Sequence, residues 1–452
     1  MSEITILHVN DMHSHFQAIT SQTHFMNEER ARLEALGQKV WTVDLGDLID
    51  RVHPLVEAQN GKIASPILNQ QKMDFVTLGN NEGTAYTPEE LEAVYDTRQF
   101  TVIISNLKWS QTHEVPPFAT EVHIEEVGEC KIAFLGLTAA YPESYLPNGY
   151  LIENPLKTLE RLVPPLAEKG VQIILLSHLG IEMDTKIAEK YPEIQVILGA
   201  HTHHFLPEGK WVRHTLLTGG FKYGEYIGEL RLRIKGEKLV PVSEKMIAVN
   251  SLKENPIVDE GEELRKKGEM LLRKQVVLEG IPAMSIQELA QCSLTAMVRQ
   301  TGIKVAITYT GLFVTAISAG TLTKYDLHTC MPHPIHLNKT TMPVRVFKEL
   351  LKQFKNKQPE LLEKAIRGYG FRGKIFGEIQ MTGFDLKDGK IIVEGRTLKD
   401  DDEITFVCPD HLRFSPFFPI IEEKGQNQIL YPDLLRTVLE KEIIYRERKH
   451  HD

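Results

Sequence analysis

The sequence predicts an α/β protein of two domains joined by a helix. Three observations carry that reading. Short Val- and Ile-rich runs alternate with helical stretches through the first half of the chain. A stretch at residues 259–274 is dominated by Asp, Glu, Arg and Lys, and reads as an exposed connecting helix. Beyond it helices and strands mix again without strict alternation. The 452 residues suit two to four domains at roughly 100–200 residues each.

Candidate strands in the first half fall at residues 4–9, 40–43, 75–78, 101–104, 132–135, 173–176 and 194–198, mostly bounded by Gly, Asn or Asp. Thr87-Pro88-Glu89-Glu90 is a capping box with proline at the first helical position. Strand-like pieces follow at 230–234 and 238–242. Past the connector, helices are expected at 286–299 and 344–354, and strands at 304–307, 390–393 and 403–407. The first domain is therefore expected to span residues 1–245, the connector 246–275, and a smaller α+β domain 276–452. The charged tail, residues 446–452, reads as a solvated, frayed helix end.

Composition narrows the function. Apolar residues are 42% and charged residues 25%, as in ordinary globular proteins. With 52 basic and 61 acidic residues the net charge is −9, which lacks the basic footprint of a nucleic-acid binder. No apolar run reaches the roughly 18 residues that span a bilayer, so no membrane association is expected. The four cysteines at 130, 292, 330 and 408 form no C-x-x-C pair and read as buried free thiols of a reducing compartment. The opening Met1 to Asp11 has no basic n-region and no small-residue cleavage site, and a cytoplasmic location is expected.

Five polar clusters follow five of the expected strands: Asp11-Met-His13, Gly46-Asp47, Gly79-Asn80-Asn81-Glu82, Ser177-His178 and Gly199-Ala-His201-Thr-His203. Residues just past the carboxyl ends of strands in an α/β sheet meet in one crevice, so distant residues can converge there. The pool is oxygen and imidazole with no thiolate. That donor set suits divalent Mn, Zn or Fe and argues against an iron–sulfur or structural zinc site. Each cluster alone also fits a turn, a cap or a packed histidine. Together the seven side chains Asp11, His13, Asp47, Asn80, His178, His201 and His203 exceed the needs of one open metal. They match two metals sharing a carboxylate, about 3.5–4 Å apart, the arrangement that clamps a phosphoryl displacement and activates a water.

The order of these clusters resembles the calcineurin-like metallophosphoesterases, with their D-x-H, G-D, G-N-H-[DE], H and G-H-x-H pattern. Within them the 5′-nucleotidase and UDP-sugar hydrolase branch is the most similar, through Ile6-Leu7-His8-Val9-Asn10-Asp11-Met12-His13, Val43-Asp44-Leu45-Gly46-Asp47 and Gly136-Leu137-Thr138. The resemblance covers residues 4–205 specifically and 276–452 diffusely. It implies a two-sheet α/β/β/α sandwich with metals at one rim and a 5′-nucleotidase-like substrate domain at 276–452. It assigns Asp11, His13 and His203 to one metal, Asn80, His178 and His201 to the other, and Asp47 to both. The implied activity is two-metal hydrolysis of phosphate ester or anhydride bonds in a small, nucleotide-like substrate, a step of nucleotide catabolism with a metal-activated hydroxide as nucleophile.

The chain departs from the pattern where the family carries its catalytic histidine. That position is Asn81, and the position of the histidine's aspartate partner is Thr84. Asn81 can donate a hydrogen bond to a phosphoryl oxygen but delivers no proton at neutral pH. His15, His53 and His204 are the other histidines near the clusters. In the second half, Tyr309-Thr310-Gly311-Leu312-Phe313 stands where the branch carries an Arg-containing substrate grip. Phe414 and Phe417, with Phe418 beside them, could sandwich a base or pack as core. Two other readings compete with the hydrolase: a metal-binding sensor or scaffold with little catalysis, favoured by Asn81 and Thr84, and a nuclease, disfavoured by the acidic charge.

Overall fold

The computed structural model describes residues 3–252, 260–365 and 374–451. They divide into two compact units, residues 1–268 and 269–452. The helix Glu260–Arg273 straddles that division. Residues 253–259, part of the expected connector, lie outside the described residues.

The first unit is built on two sheets. One has seven strands in the order Lys238–Ala248, Tyr226–Lys235, Glu3–Val9, Lys39–Asp44, Phe75–Val76, Thr101–Ile103 and Ala119–Thr120. The other has six: Lys210–Val212, Thr215–Gly219, Ile194–Gly199, Gln172–His178, Cys130–Thr138 and Val122–Val127. From Glu3–Val9 to Ala119–Thr120, and from Thr215–Gly219 to Cys130–Thr138, neighbouring strands run parallel.

Side-chain alternation explains the layering. Along Gln172–His178, Ile174 and Leu176 face one way, with Trp41, Val43, Phe75 and Ile103 of the first sheet. Ile173 and Leu175 face the other way, onto Leu159, Val163 and Ile187 of the helices Pro155–Glu168 and Ile181–Lys190. The first sheet repeats the pattern, with Ile4 and Ile6 facing the second sheet and Leu7 and Val9 facing helices such as Ile19–Ala35. Trp41, Phe75 and Phe134 interlock between the sheets with ring centroids 4.4–6.0 Å apart. The result is the α/β/β/α sandwich expected from the resemblance. The same alternation puts His178, four residues on from Ile174, on the inter-sheet face at the strand's carboxyl end.

The second unit packs helices, among them Ile286–Thr301, Val344–Leu361 and Leu435–His451, on a five-stranded mixed sheet. Its strand order is Ile379–Thr382, Val305–Tyr309, Glu403–Pro409, His336–Pro343, Gln426–Leu434. The helix Leu435–His451 runs into the charged tail; Leu435, Val438, Leu439 and Ile443 are buried at helical spacing and anchor its first turns, while Tyr445 is 41% exposed. All four cysteines are free and buried.

Ser177, on the helix-side face, donates its hydroxyl to Asp184 Oδ1, while Asp184 Oδ2 has no hydrogen-bond partner. Burial pushes the Asp184 carboxyl up to about 8, from 3.8 in an open chain. A group whose folded pKa is raised stabilises the fold at low pH, and that contribution is lost as pH climbs from 3.8 through about 8. Asp184→Asn removes the titration and keeps an acceptor for Ser177. Its melting temperature is expected to fall less than the wild type's between about pH 6 and pH 9. Equal declines in both proteins would show that Asp184 is already ionised in the fold.

Candidate metal centre

The parallel strands end at one rim, and all seven residues sit there. Asp11 and His13 follow Glu3–Val9, Asp47 follows Lys39–Asp44, and Asn80 follows Phe75–Val76. His178 closes Gln172–His178, and His201 and His203 follow Ile194–Gly199. The chain must turn sharply after each strand to aim these side chains inward. Asp11, His13, Asp47, His201 and His203 accordingly hold left-handed backbone, with φ between 47° and 76°. Two glycines make the turns possible. A Cβ on Gly79 would lie 1.9 Å from Asp47 Oδ1, and one on Gly46, at φ 90°, would lie 2.1 Å from the Gly79 nitrogen.

Five of the seven close into two overlapping groups, Asp11–His13–His203 and Asp11–Asp47–His178. His13 Nε2 is 3.1 Å from His203 Nε2, 3.8 Å from Asp11 Oδ1 and 3.7 Å from Asp47 Oδ2. His178 Nε2 is 3.3 Å from Asp47 Oδ2 and 3.9 Å from Asp11 Oδ1. Asp11 Oδ1 is 3.5 Å from His203 Nε2. The outer atoms are fixed by other groups. Asn10 Nδ2 and the His201 N–H donate to Asp11 Oδ2 at 2.7 and 3.1 Å, and the Asn81 N–H donates to Asp47 Oδ1 at 2.8 Å. His178 Nδ1 donates to the Leu45 carbonyl at 2.7 Å, which turns Nε2 inward. His201 packs beside His178 with ring centroids 5.2 Å apart, and its Nε2 meets the Tyr141 hydroxyl at 3.0 Å.

The donor set fits metal ions. Asp11 Oδ1, Asn80 Oδ1 and His178 Nε2 are buried polar atoms with no hydrogen-bond partner. Buried polar atoms without partners are rare and ask for an explanation, and a cation supplies one. The electrostatics agree. Burial works against ionisation of Asp47, but His178 and His13 outweigh it and hold the carboxyl well below the usual range. Asp11 is likewise held down against burial by His203 and His178. Burial opposes protonation of His178, yet Asp47 and Asp11 push it up to about 10. His201 drops to about 4 through burial and its neighbour His178, so it is a neutral imidazole at pH 7.

Three further residues support this rim: Glu82, which closes one of the five polar clusters, and Asp50 and Tyr223, which lie outside them. Glu82 is buried and accepts the N–H groups of Asp47 and Gly79 at 3.0 Å each, with that of Ile49 at 3.3 Å, so it ties two ligand loops together. Burial and then Asp47 raise its carboxyl to about 8. Asp50 Oδ2 is 3.9 Å from His13 Nδ1 and 3.4 Å from Asn81 Nδ2. Carboxylates behind a ligand histidine orient its ring. Tyr223 donates its N–H to the Asp11 carbonyl at 2.8 Å. Asp50 is an isolated Asp and Tyr223 part of an aromatic loop, neither with a spacing to read.

Asn81 lies with its carboxamide 3.1 Å from His13 Nδ1. Thr84 Oγ1 donates to the Asn80 carbonyl within the short helix Asn80–Ala85. His204 has both ring nitrogens engaged, with Thr202 Oγ1 and the Thr218 carbonyl, each at 3.1 Å. His53 caps Pro54–Ala58 by accepting the Leu55 N–H. His15 stacks on Tyr223 at 3.8 Å, and burial, then His13 and Lys222, lower its pKa. Phe414 and Phe417 belong to the second unit. Phe414 is 57% exposed beneath the Arg413 guanidinium, Phe417 packs on Phe376 at the core's edge, and Phe418 is core.

A rim of carboxylates and imidazoles at the parallel strand ends of an α/β/β/α sandwich defines a metal-dependent phosphohydrolase. Residues 4–205 match the calcineurin-like phosphoesterase family, and the chain carries a calcineurin-like phosphoesterase domain. It is 29% identical to the uncharacterized metallophosphoesterase YunD of Bacillus subtilis (strain 168), over 97% of this chain and 98% of that one. It is 24% identical to the snake venom 5′-nucleotidase of Naja atra over 57% of this chain, a stretch spanning 55% of that relative's length. The fold is shared with the NAD nucleotidase of Haemophilus influenzae at a TM-score of 0.66, with 16% identity over 99% of this chain and 96% of that one.

The position of Asp47 between His13 and His178 makes one substitution decisive. If two metals share Asp47, Asp47→Ala should drop the metal content of the folded protein from two equivalents to below one. Metal analysis showing two equivalents retained would pass the shared role to Asp11, which faces both groups.

Proposed function

We propose that the protein is a two-metal hydrolase of phosphate ester or anhydride bonds in a small, nucleotide-like substrate. The observation that carries this reading is the set of partnerless buried atoms, Asp11 Oδ1, Asn80 Oδ1 and His178 Nε2, in a pocket of carboxylates and imidazoles. Asp11, His13 and His203 would hold one ion, Asn80, His178 and His201 the other, and Asp47 both; Mn, Zn and Fe suit these donors. When bound, two such ions neutralise the phosphoryl oxygens and bring the pKa of a water near neutrality. The nucleotide-like substrate rests on the relatives named as 5′-nucleotidases. Residues 276–452 would take part in substrate choice, as the resemblance implies. The four reduced cysteines support a cytoplasmic setting. Among the described residues no helix is long and apolar enough to cross a membrane.

The chain's own residues shape which bond is cleaved. Asn81 Nδ2 lies 3.1 Å from His13 Nδ1 and 3.4 Å from Asp50 Oδ2, and a carboxamide carries no proton to a leaving group. Expelling a ribose alkoxide puts charge on a strongly basic oxygen and gains most from a general acid. Expelling a phosphate or phenolate does not. Anhydrides such as UDP-sugars or dinucleoside polyphosphates, and aryl phosphates, should therefore be better substrates than AMP at equal metal loading. A wild type that cleaves AMP faster than every anhydride would refute this preference. Absence of hydrolysis across a metal-loaded panel of esters and anhydrides would favour the sensor or scaffold reading.

Asn81→His tests the same point from the other side. Asp50 already stands beside position 81, 3.4 Å from the Asn81 amide, and can orient an introduced imidazole. The substitution should raise kcat for AMP by about tenfold or more, with a smaller change for a UDP-sugar, even without Thr84→Asp. Equal effects on both substrates would show that leaving-group protonation does not limit the reaction.

A further inference from the structure

Lys222 lies in the segment Phe221-Lys222-Tyr223 that borders the metal rim. The two aromatic residues flanking it both hold left-handed backbone, at φ 64° and 60°. Bulky residues rarely adopt that conformation, and where they do the surroundings enforce it. Here the Phe221 carbonyl accepts Asn10 Nδ2 at 2.8 Å, the Phe221 N–H donates to the His204 carbonyl at 3.1 Å, and Tyr223 donates to the Asp11 carbonyl. The segment is thereby pinned between the turn that carries Asp11 and the turn that carries His203.

The pinning fixes where the Lys222 ammonium goes. Its Nζ lies 4.5 Å from the Tyr223 ring centroid and 5.7 Å from that of Phe221. The Tyr223 ring in turn lies 6.1 Å from the His13 ring and 6.3 Å from the His203 ring. The ammonium therefore stands one aromatic ring away from two ligand histidines. Among the described residues it has no carboxylate within ion-pair distance. An ammonium held over aromatic faces keeps its three N–H donors for an anion.

We propose that Lys222 is a substrate-binding residue that grips the second phosphate of a phosphoanhydride whose first phosphate lies on the metals; this rests on the hydrolase reading above. The segment thus selects for diphosphates over monophosphates. It also places a phosphate-gripping cation on the first unit, in a chain that has Tyr309-Thr310-Gly311-Leu312-Phe313 where an Arg-bearing grip was expected.

The test compares the full-length, metal-loaded wild type with Lys222→Gln and Lys222→Arg. Calorimetry measures binding of inorganic pyrophosphate and of orthophosphate, with metal content checked before and after to exclude stripping. Lys222→Gln should weaken pyrophosphate binding by about tenfold and orthophosphate by less than about threefold, the difference expected for one charge-assisted contact. Lys222→Arg should restore most of the pyrophosphate affinity, and unchanged melting temperatures would confirm intact folds. Equal weakening of both ligands, or no weakening, overturns the proposal. A wild type that hydrolyses no phosphoester or anhydride defeats the hydrolase reading instead, while the binding ratio still decides the role of Lys222.

Discussion

Asp11 and Asp47 are buried side by side at the rim of the sandwich, and among the described residues the only chargeable groups of opposite sign within ion-pair distance of them are imidazoles. Among the described residues no lysine or arginine forms an ion pair with either. Burying charge is costly unless it is compensated, and histidines offset two carboxylates only while they hold protons. The surroundings bear the mark of this crowding. Asp44 and Glu82, buried nearby, are pushed up to about 7 and about 8, by burial first and then by the ionised neighbours. Glu82 thus stays mostly neutral at pH 7 and Asp44 about half so, beside two carboxylates that remain charged. Divalent cations, as proposed for this rim, would relieve the arrangement by bringing positive charge to the carboxylate oxygens.

That arrangement is held by backbone, not by packing alone. Left-handed residues recur at Asp11, His13, Ser14, Asp47, His201 and His203, the positions where the chain must reverse after a parallel strand. Each turn is tied to the next. Asp11 and His13 donate their N–H groups to the carbonyls of Gly46 and Asp47, and Glu82 bridges the Gly46 and Gly79 turns. Strain at each turn is thereby shared through a common hydrogen-bonded lattice. The interlocked aromatic core between the sheets fixes the strand ends from which the turns start.

Most of this was legible because apolar strands end abruptly in polar residues. The strand expected at 173–176 is seen as Gln172–His178, and that at 194–198 as Ile194–Gly199. The strand expected at 75–78 is seen as Phe75–Val76, whereas the two-residue strand Ala119–Thr120 left too little periodicity to read. The helix Leu435–His451 was obscured by its charges, since its apolar stripe is narrow. Within the site, the candidate metal-holding residues were visible as Asp, Asn and His at strand ends. Asp50, Tyr223 and Lys222 were not, because their placement depends on turns whose geometry has no sequence period.

The substitution of Asn81 for the family's histidine takes on a different meaning beside Asp50. A histidine at this position would answer to the substrate, with an aspartate from the same helix turn to steady it. In this chain the would-be partner, Thr84, turns back onto the Asn80 carbonyl, while Asp50 approaches from another loop and meets both Asn81 and His13. A carboxylate behind a ligand imidazole raises its basicity and fixes its orientation. In the proposed two-metal hydrolase, position 81 would serve the loop that carries His13 rather than the leaving group, an exchange a site can tolerate when the oxygen it expels is weakly basic.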